Sequence, residues 1–476
     1  MKISTLVLET CQKFPNQFAI HDEMGSFTYK ELGLAITANA QYLKEQGVVA
    51  GMGLGIMGRN SRDFIILVFA ALECGAVVMP ISNQLKKAEV DTILKTAGLH
   101  YIIEDTHGPQ LDKDFKTFTV NAGTWRMANC KAFTGTHFAP HIPNAAIIRY
   151  TSGTTGTSKG VVIAHESILG RIEAANKVLN LDEESTVIWV LQMSYHFVVS
   201  IILYLRVGAS IALTKDFMAP SILDFANRFN GTLLYASPMH IRLLASDKSG
   251  QMMPSMKRVI STSTAISQAQ CEAFEQRYQI PISQAYGIIE VGLPIINHQK
   301  SKEHPAAVGH ALPDYEVEIL NDEFEILQHG QIGHLAMRGP GMFDGYLHPP
   351  RMRADTLQNG WFLTGDLASK DASGLIKIEG RKKSMINVSG NKVFPEEVEH
   401  VLNQHPHVKL SKVKGFTHRF MGEMVMAEVI LEEGQNIETE ALIKFCRERL
   451  ITYKVPQKII FVDALAMTGS GKIKRD

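Results

Sequence analysis

The sequence predicts an α/β protein: a large N-terminal α/β domain with parallel-type sheets and a β-rich subdomain, followed by a small C-terminal α+β domain. Three observations carry this. Helix-like and strand-like apolar segments alternate from residue 30 to residue 261, the pattern of a parallel sheet with crossover helices. From about residue 316 the texture changes to short alternating strands separated by Gly turns. Near Arg381 it changes again, and the remaining stretch, about a hundred residues, is long enough for a separate small domain.

Taken in order, Leu32, Leu34, Ile36, Ala40 and Leu43 recur at helical spacing across 30–46, and Gly47 closes the segment. A strand is expected at 54–57. Asn60-Ser61-Arg62-Asp63 caps an apolar helix over 64–73, and 76–81 is the next strand. Residues 89–97 read as helix and 101–104 as strand, while 105–144 shows no regular period. A buried strand at 145–150 precedes a helix at 166–179. The strand at 187–191 ends in Ser194-Tyr195-His196-Phe197, and strand ends are where open α/β sheets place ligand groups. Strands at 209–213, 233–236 and 259–261 alternate with helices at 221–229, 238–244 and 268–277. The β-rich stretch comprises 316–320, 323–327, 334–338 and 375–379. In the last segment 394–403 is helical, with Pro395 in its first turn and Glu396, Glu397 and Glu399 placed to offset the helix dipole. Strands at 408–415 and 423–431 and a helix at 438–449 complete it.

Composition narrows the function classes. Lys plus Arg and Asp plus Glu balance at 48 each, so neither nucleic acid nor an anionic membrane is expected as the main partner. Cys11, Cys74, Cys130, Cys271 and Cys446 are scattered without a C-x-x-C pair, which argues against a disulfide framework or a zinc site and for a reducing cytoplasm. The first ten residues lack the apolar core of a signal peptide, and no apolar run approaches the roughly 20 residues of a membrane span.

One stretch stands out, Tyr150-Thr151-Ser152-Gly153-Thr154-Thr155-Gly156-Thr157-Ser158-Lys159-Gly160. Glycines let backbone amides approach an anion, hydroxyls add donors and Lys159 adds charge. It is not a Walker A loop, because its glycines are three apart and Lys159 is followed by Gly160. As a Ser/Thr/Gly loop it could be surface punctuation, but the strand before it and the single lysine after it fit a phosphate cradle.

Four further stretches match one family. Tyr286-Gly287-Ile288-Ile289-Glu290 resembles Tyr-Gly-x-Thr-Glu, 361–366 resembles Tyr/Trp-x-x-Thr-Gly-Asp, Gly380-Arg381-Lys382-Lys383 resembles a hinge motif continued by Gly390, Val393, Pro395 and Glu396, and Lys472 matches a catalytic lysine. With the loop at 150–160 and in this order, they resemble the acyl-adenylate-forming superfamily over essentially the whole chain: acyl- and aryl-CoA synthetases, peptide-synthetase adenylation domains and firefly luciferase.

The resemblance implies an N-terminal adenylation domain over 1–382, its β-rich part at about 316–380, and a mobile C-terminal domain over 383–476 hinged at Lys383. It implies ATP held by Thr151, Ser152, Gly153, Thr154, Thr155, Gly156, Lys159, Ser263, Thr264, Tyr286, Gly287, Asp366, Arg381 and Lys472, with Asp366 and Arg381 on the ribose. Mg2+ falls to Thr154 and Glu290; Lys472, Glu290 and Thr154 form the catalytic set. Tyr195, His196, Phe197, Val198 and Ser200 line the acyl pocket, and Ser389 and Gly390 the thiol tunnel. The implied chemistry is activation of a small carboxylic acid to an acyl-AMP, then transfer to CoA or to a phosphopantetheinyl carrier protein. Three departures qualify it. Ile289 replaces the usual Thr, Met193 and Ala466 replace prolines, and Ser261-Thr262-Ser263-Thr264-Ala265-Ile266 is bulkier than the Ser-Gly-Gly-Ala-Pro-Leu of relatives. An Asp that amino-acid-activating relatives place just after His196 is missing from Phe197-Val198-Val199-Ser200, which points to an acid without an amino group. The leading reading is an acid–thiol ligase. A stand-alone enzyme loading a carrier protein and a non-catalytic AMP-binding protein are the alternatives.

Overall fold

The computed structural model describes residues 2–151, 159–388, 391–418, 422–467 and 473–475. The chain divides into two compact units, Met1–Glu316 with Arg338–Gly360, and Val317–Met337 with Trp361–Asp476. The β-rich stretch therefore packs with the C-terminal part, and Lys383 lies inside the second unit.

Among its described residues the first unit holds two nine-stranded sheets. In one, Thr186–Trp189, Leu233–Ala236, Arg258–Ser261 and Ile282–Ile288 run parallel, and Gly292–Ile296 turns back antiparallel on the last. In the other, Gly53–Gly58 lies parallel between Val77–Ser82 and Tyr101–Glu104, and Ala145–Thr151 pairs antiparallel with Lys159–Ala164. That last strand is extended by Gly345–Tyr346 through the register Tyr346↔Val161. Helix starts follow from local chemistry. Thr28 and Glu31 form a reciprocal capping box before Tyr29–Glu45, and the Ser61 hydroxyl accepts from Phe64 N–H before Arg62–Glu73. Every residue of the latter helix up to Leu72 is buried, as expected for a segment apolar all round.

Several elements depart from the expectation. Residues 105–144 contribute the hairpin Lys116–Val120 and Gly123–Asn129, in register Phe118↔Trp125. The helix Ile3–Lys13 and the hairpin Phe18–Asp22 with Gly25–Thr28 were not anticipated. Residues 193–207 form one helical path, Met193–His196, a π-helical turn Phe197–Ile201, then Ile202–Val207. The strand expected at 323–327 is replaced by a turn. The Asn321 side-chain oxygen accepts from the Glu323 and Glu325 amides at 3.0 and 2.8 Å, leaving one isolated bridge, Leu320↔Ile326.

In the second unit Gly333–Arg338, Phe362–Lys370 and Ile376–Arg381 form an antiparallel sheet with Glu316–Leu320. A five-stranded sheet around Gly422–Leu431 carries the helices Pro395–Leu402 and Thr439–Arg447, whose Val398, Leu402, Leu442 and Cys446 are fully buried in its core. All five cysteines are free. No described helix is long and apolar enough to cross a membrane.

Candidate active site

The strand Ala145–Thr151 leads to the loop expected to hold phosphate, of which Ser152–Ser158 lie outside the described residues, as do Ser389, Gly390 and Lys472. Thr151 pairs with Lys159 in the ladder, so the two ends of the loop are held side by side. Lys159 Nζ sits 4.9 Å above the ring of Tyr346. The hydroxyl of the same tyrosine donates to Glu290 Oε1 at 3.4 Å. A cation at the end of the loop and a carboxylate 131 residues further on are thus brought to opposite parts of one side chain that sequence reasoning had passed over.

Glu290 occupies the tight turn between Ile282–Ile288 and Gly292–Ile296. A Cβ on Gly287 would stand 2.5 Å from the Gly292 carbonyl oxygen, so only glycine fits there. The Phe343 amide donates to the Glu290 carbonyl at 2.7 Å, and Arg171 Nη1 donates to the Ile289 carbonyl at 3.0 Å. Burial pushes the Glu290 carboxyl above its ordinary range, opposed by hydrogen bonds from its own backbone and from Tyr346 and by the charges of Arg149 and Arg171. A carboxylate that burial disfavours is one a cation would complete. Among the described residues no group of three or more His, Cys, Asp or Glu forms a closed metal cage. A lone oxygen ligand matches Mg2+, which commonly takes one or two carboxylates and shares the rest of its shell with water and phosphate. The donor set therefore fits the metal.

On the acid side, His196 lies edge-on to Trp189 and Tyr235, each at 6.4 Å, and its Nε2 is 3.5 Å from the Ser263 hydroxyl. The structure thus joins His196 to the 261–266 loop, two groups expected in separate roles. Ser263 has φ +77, the left-handed geometry that the glycine of relatives would adopt without strain. Phe197 is buried against Phe64 and Phe69, at 6.1 and 5.9 Å. Val198 and Ser200 are buried as well, whereas Tyr195 and His196 are half-buried. Thr264 is exposed and Tyr286 half-buried.

In the second unit Asp366 and Arg381 are register partners on adjacent strands, and Arg381 Nε meets Asp366 Oδ1 at 3.1 Å. Thr364 fixes the turn: its hydroxyl accepts from the Asp366 amide at 3.1 Å and donates to the Leu335 carbonyl at 3.1 Å. The pair joins an acidic acceptor to a fork of donors, the chemistry suited to vicinal hydroxyls. Lys383 is exposed in a short 3-10 turn, Lys382–Ser384, that ends the strand Ile376–Arg381. The described tail beyond Lys472 is anchored. Ile473 bridges Met467, and Arg475 Nη2 reaches Glu399 Oε2 at 2.7 Å.

The AMP-binding enzyme family model matches residues 7–347, and the AMP-binding enzyme C-terminal domain model matches 397–472. The chain belongs to the AMP-binding enzyme family. Other AMP-binding enzymes resemble it over nearly their full length. A fatty acid–[acyl-carrier-protein] ligase, ScoC, of Streptomyces coeruleorubidus is 27% identical over 100% of this chain and 96% of its own. A 2-succinylbenzoate–CoA ligase of Geobacillus kaustophilus is 28% identical over 97% and 94%. The ATP-bound MatB of Rhodopseudomonas palustris shares the fold with a TM-score of 0.85 at 23% identity, over 100% of this chain and 97% of that one.

Sequence reasoning missed Tyr346, Arg171 and Arg149. Tyr346 belongs to a two-residue strand with no period to detect. Arg149 did leave a signal as the single charge in Ala145–Thr151, whereas Arg171 shares its helix with Glu166, Glu173 and Lys177 and is set apart only by its burial.

Proposed function

We propose that this AMP-binding enzyme is an ATP-dependent acid–thiol ligase whose substrate is a carboxylic acid without an amino group. The observation that supports the reading is the convergence of Lys159 and Glu290 on Tyr346, a lysine that would face phosphate and a carboxylate that would ligate the metal. In the first half-reaction a carboxylate oxygen attacks the α-phosphorus of ATP, the bond to pyrophosphate breaks, and acyl-AMP remains. The loop from Thr151 through Ser152, Gly153, Thr154, Thr155 and Gly156 to Lys159 would grip the leaving pyrophosphate, with Tyr286 and Gly287 beside the nucleotide. Ser263 and Thr264 would edge the adenine. Asp366 and Arg381 would hold the ribose. Glu290 with Thr154 would hold Mg2+, which when bound supplies positive charge to the phosphates. Lys472 would stabilise charge developing at the α-phosphate; chemistry of this kind asks for positioning and charge more than covalent work.

In the second half-reaction a thiolate attacks the acyl carbonyl and AMP leaves. Ser389 and Gly390 would border the thiol's path, and rotation of 383–476 about Lys383 would exchange Lys472 for the incoming thiol. CoA is the favoured acceptor. A phosphopantetheinyl carrier protein is the second reading, favoured by the likeness to ScoC. The Ile289 substitution, which motivated a non-catalytic reading, leaves the backbone of the turn held by Arg171.

The test is carboxylate-dependent ATP–pyrophosphate exchange across aliphatic and aryl acids, followed by AMP release with CoA and with a carrier protein. Exchange with at least one acid is expected. Nucleotide binding without exchange for any acid sinks the ligase reading.

A further inference from the structure

Buried polar atoms without a partner are uncommon, and each asks for a reason. Four of those in the first unit fall on segments that touch one another beside the residues proposed for the acid. They are Arg149 Nε on the strand Ala145–Thr151, Trp189 Nε1 at the end of Thr186–Trp189, and the hydroxyls of Ser194 and Ser200. Trp189 is linked to the segment through His196, and Arg149 through Tyr195.

Arg149 is the unusual member. Its Nη1 donates to the Tyr195 carbonyl in a close contact, and its guanidinium carbon lies 5.1 Å from the centre of the Tyr195 ring. Burial lowers this guanidinium to about 10, against the attraction of Tyr195 and Glu290, which leaves it a cation at neutral pH. Among the described residues no carboxylate forms an ion pair with it. Glu290 attracts it without an ion pair between them, and a half-buried cation whose Nε is buried without a partner is completed by an anion that enters.

Two anions could answer, a phosphate of ATP or an oxyanion of the acid. The contacts favour the acid. Arg149 touches Tyr195 directly, a residue proposed for the acid, whereas Glu290 acts on it only through charge and meets the phosphate-side Lys159 at Tyr346. Nor is the reacting carboxylate its natural partner, because a guanidinium clamped on the attacking oxygen would withdraw the electron density the attack requires. Resting on the ligase reading above, we propose that Arg149 binds a second carboxylate of the substrate, so that the enzyme activates dicarboxylic rather than simple fatty or aryl acids. The unpartnered hydroxyls of Ser194 and Ser200 fit an acyl chain that carries oxygen.

The experiment compares matched acids, glutarate with pentanoate, adipate with hexanoate and terephthalate with benzoate, in pyrophosphate exchange and in calorimetric binding to the full chain. In the wild type kcat/KM is expected to favour the dicarboxylate of at least one pair by roughly 10- to 150-fold, the worth of one charge-assisted hydrogen bond. Arg149→Met should bring that ratio close to one, and Arg149→Lys, which keeps the charge and guards against a folding defect, should fall between. Equal use of both members of every pair overturns the proposal, as does an Arg149→Met variant that raises KM for ATP alike with all acids. If no acid supports exchange but a dicarboxylate binds and loses affinity in Arg149→Met, the ligase reading fails and the carboxylate site stands.

Discussion

Arg171→Met should loosen the turn that carries Glu290. The Arg171 side chain is 1% exposed, and its Nε and Nη1 donate to the carbonyls of Gly341 and Ile289 at 2.7 and 3.0 Å. Both are hydrogen bonds from a charged donor to a buried acceptor, each worth ~1.5–3 kcal/mol, so their joint contribution is ~3–6 kcal/mol. Against this stands the desolvation of a guanidinium whose Nη2 finds no partner, a cost of ~1–2 kcal/mol that methionine does not carry. The expected net loss is ~1–5 kcal/mol in the stability of the first unit. The surroundings cannot close over the gap cheaply. Gly341 is in left-handed geometry with its would-be Cβ 2.3 Å from the Arg171 amide nitrogen, so helix and turn already touch backbone to backbone. Urea unfolding read by tryptophan fluorescence isolates the effect. Trp361→Phe removes the second unit's only tryptophan, leaving Trp125 and Trp189 in the first. A change smaller than ~0.5 kcal/mol, the scatter of ordinary surface substitutions, would refute the clamp. The same variant should raise KM for ATP more than it raises KM for the acid, since the displaced group is Glu290.

Three further outcomes follow from the same geometry. Lys472→Ala should abolish adenylate formation while sparing thioester formation from synthetic acyl-AMP; equal loss of both half-reactions contradicts the division of labour. His240 is buried, its Nδ1 accepts from the Ser237 amide at 3.2 Å, and burial lowers it to about 4. Its folded value lies below its unfolded one, so the unfolded chain binds the extra proton. Its contribution is therefore complete above about pH 6.5 and is lost as the pH falls toward 4, with a slope approaching ~1.4 kcal/mol per pH unit. Asp63, raised to about 6 mainly by burial, has the opposite sign, so the readout is the flattening of the pH–stability curve in His240→Gln. An unchanged slope would rule the histidine out as its source. Ser263→Gly should stabilise by ~0.5–1 kcal/mol, because φ +77 strains a residue with a Cβ more than it strains glycine; a destabilised variant would show that the contact to His196 outweighs the strain.

What the sequence revealed and what it hid divide along a physical line. The strands at 101–104 and 233–236 and the helices near 62–73 and 165–179 were legible because period and caps are properties of neighbours in the chain. The fold class followed from the order of such signals, and the family from the resemblance of its motifs. The site's geometry did not, because it depends on pairings across hundreds of residues. Nothing local announces that a two-residue strand ending in Tyr346 will join Lys159–Ala164 and so link a lysine to a glutamate. The 193–207 segment was not legible for another reason. Its apolar run fits a buried strand or a buried helix equally, and the π-helical turn at Phe197–Ile201 has no sequence period of its own. Arg149 and Arg171 are the instructive case. A single charge inside Ala-Ile-Ile-Arg-Tyr or in a mostly buried helix face contradicts its surroundings, and burying it is tolerated only where something compensates. For Arg171 the compensation is visible as two backbone carbonyls. For Arg149 it is incomplete, and that difference is why one arginine is assigned to the scaffold and the other to the substrate.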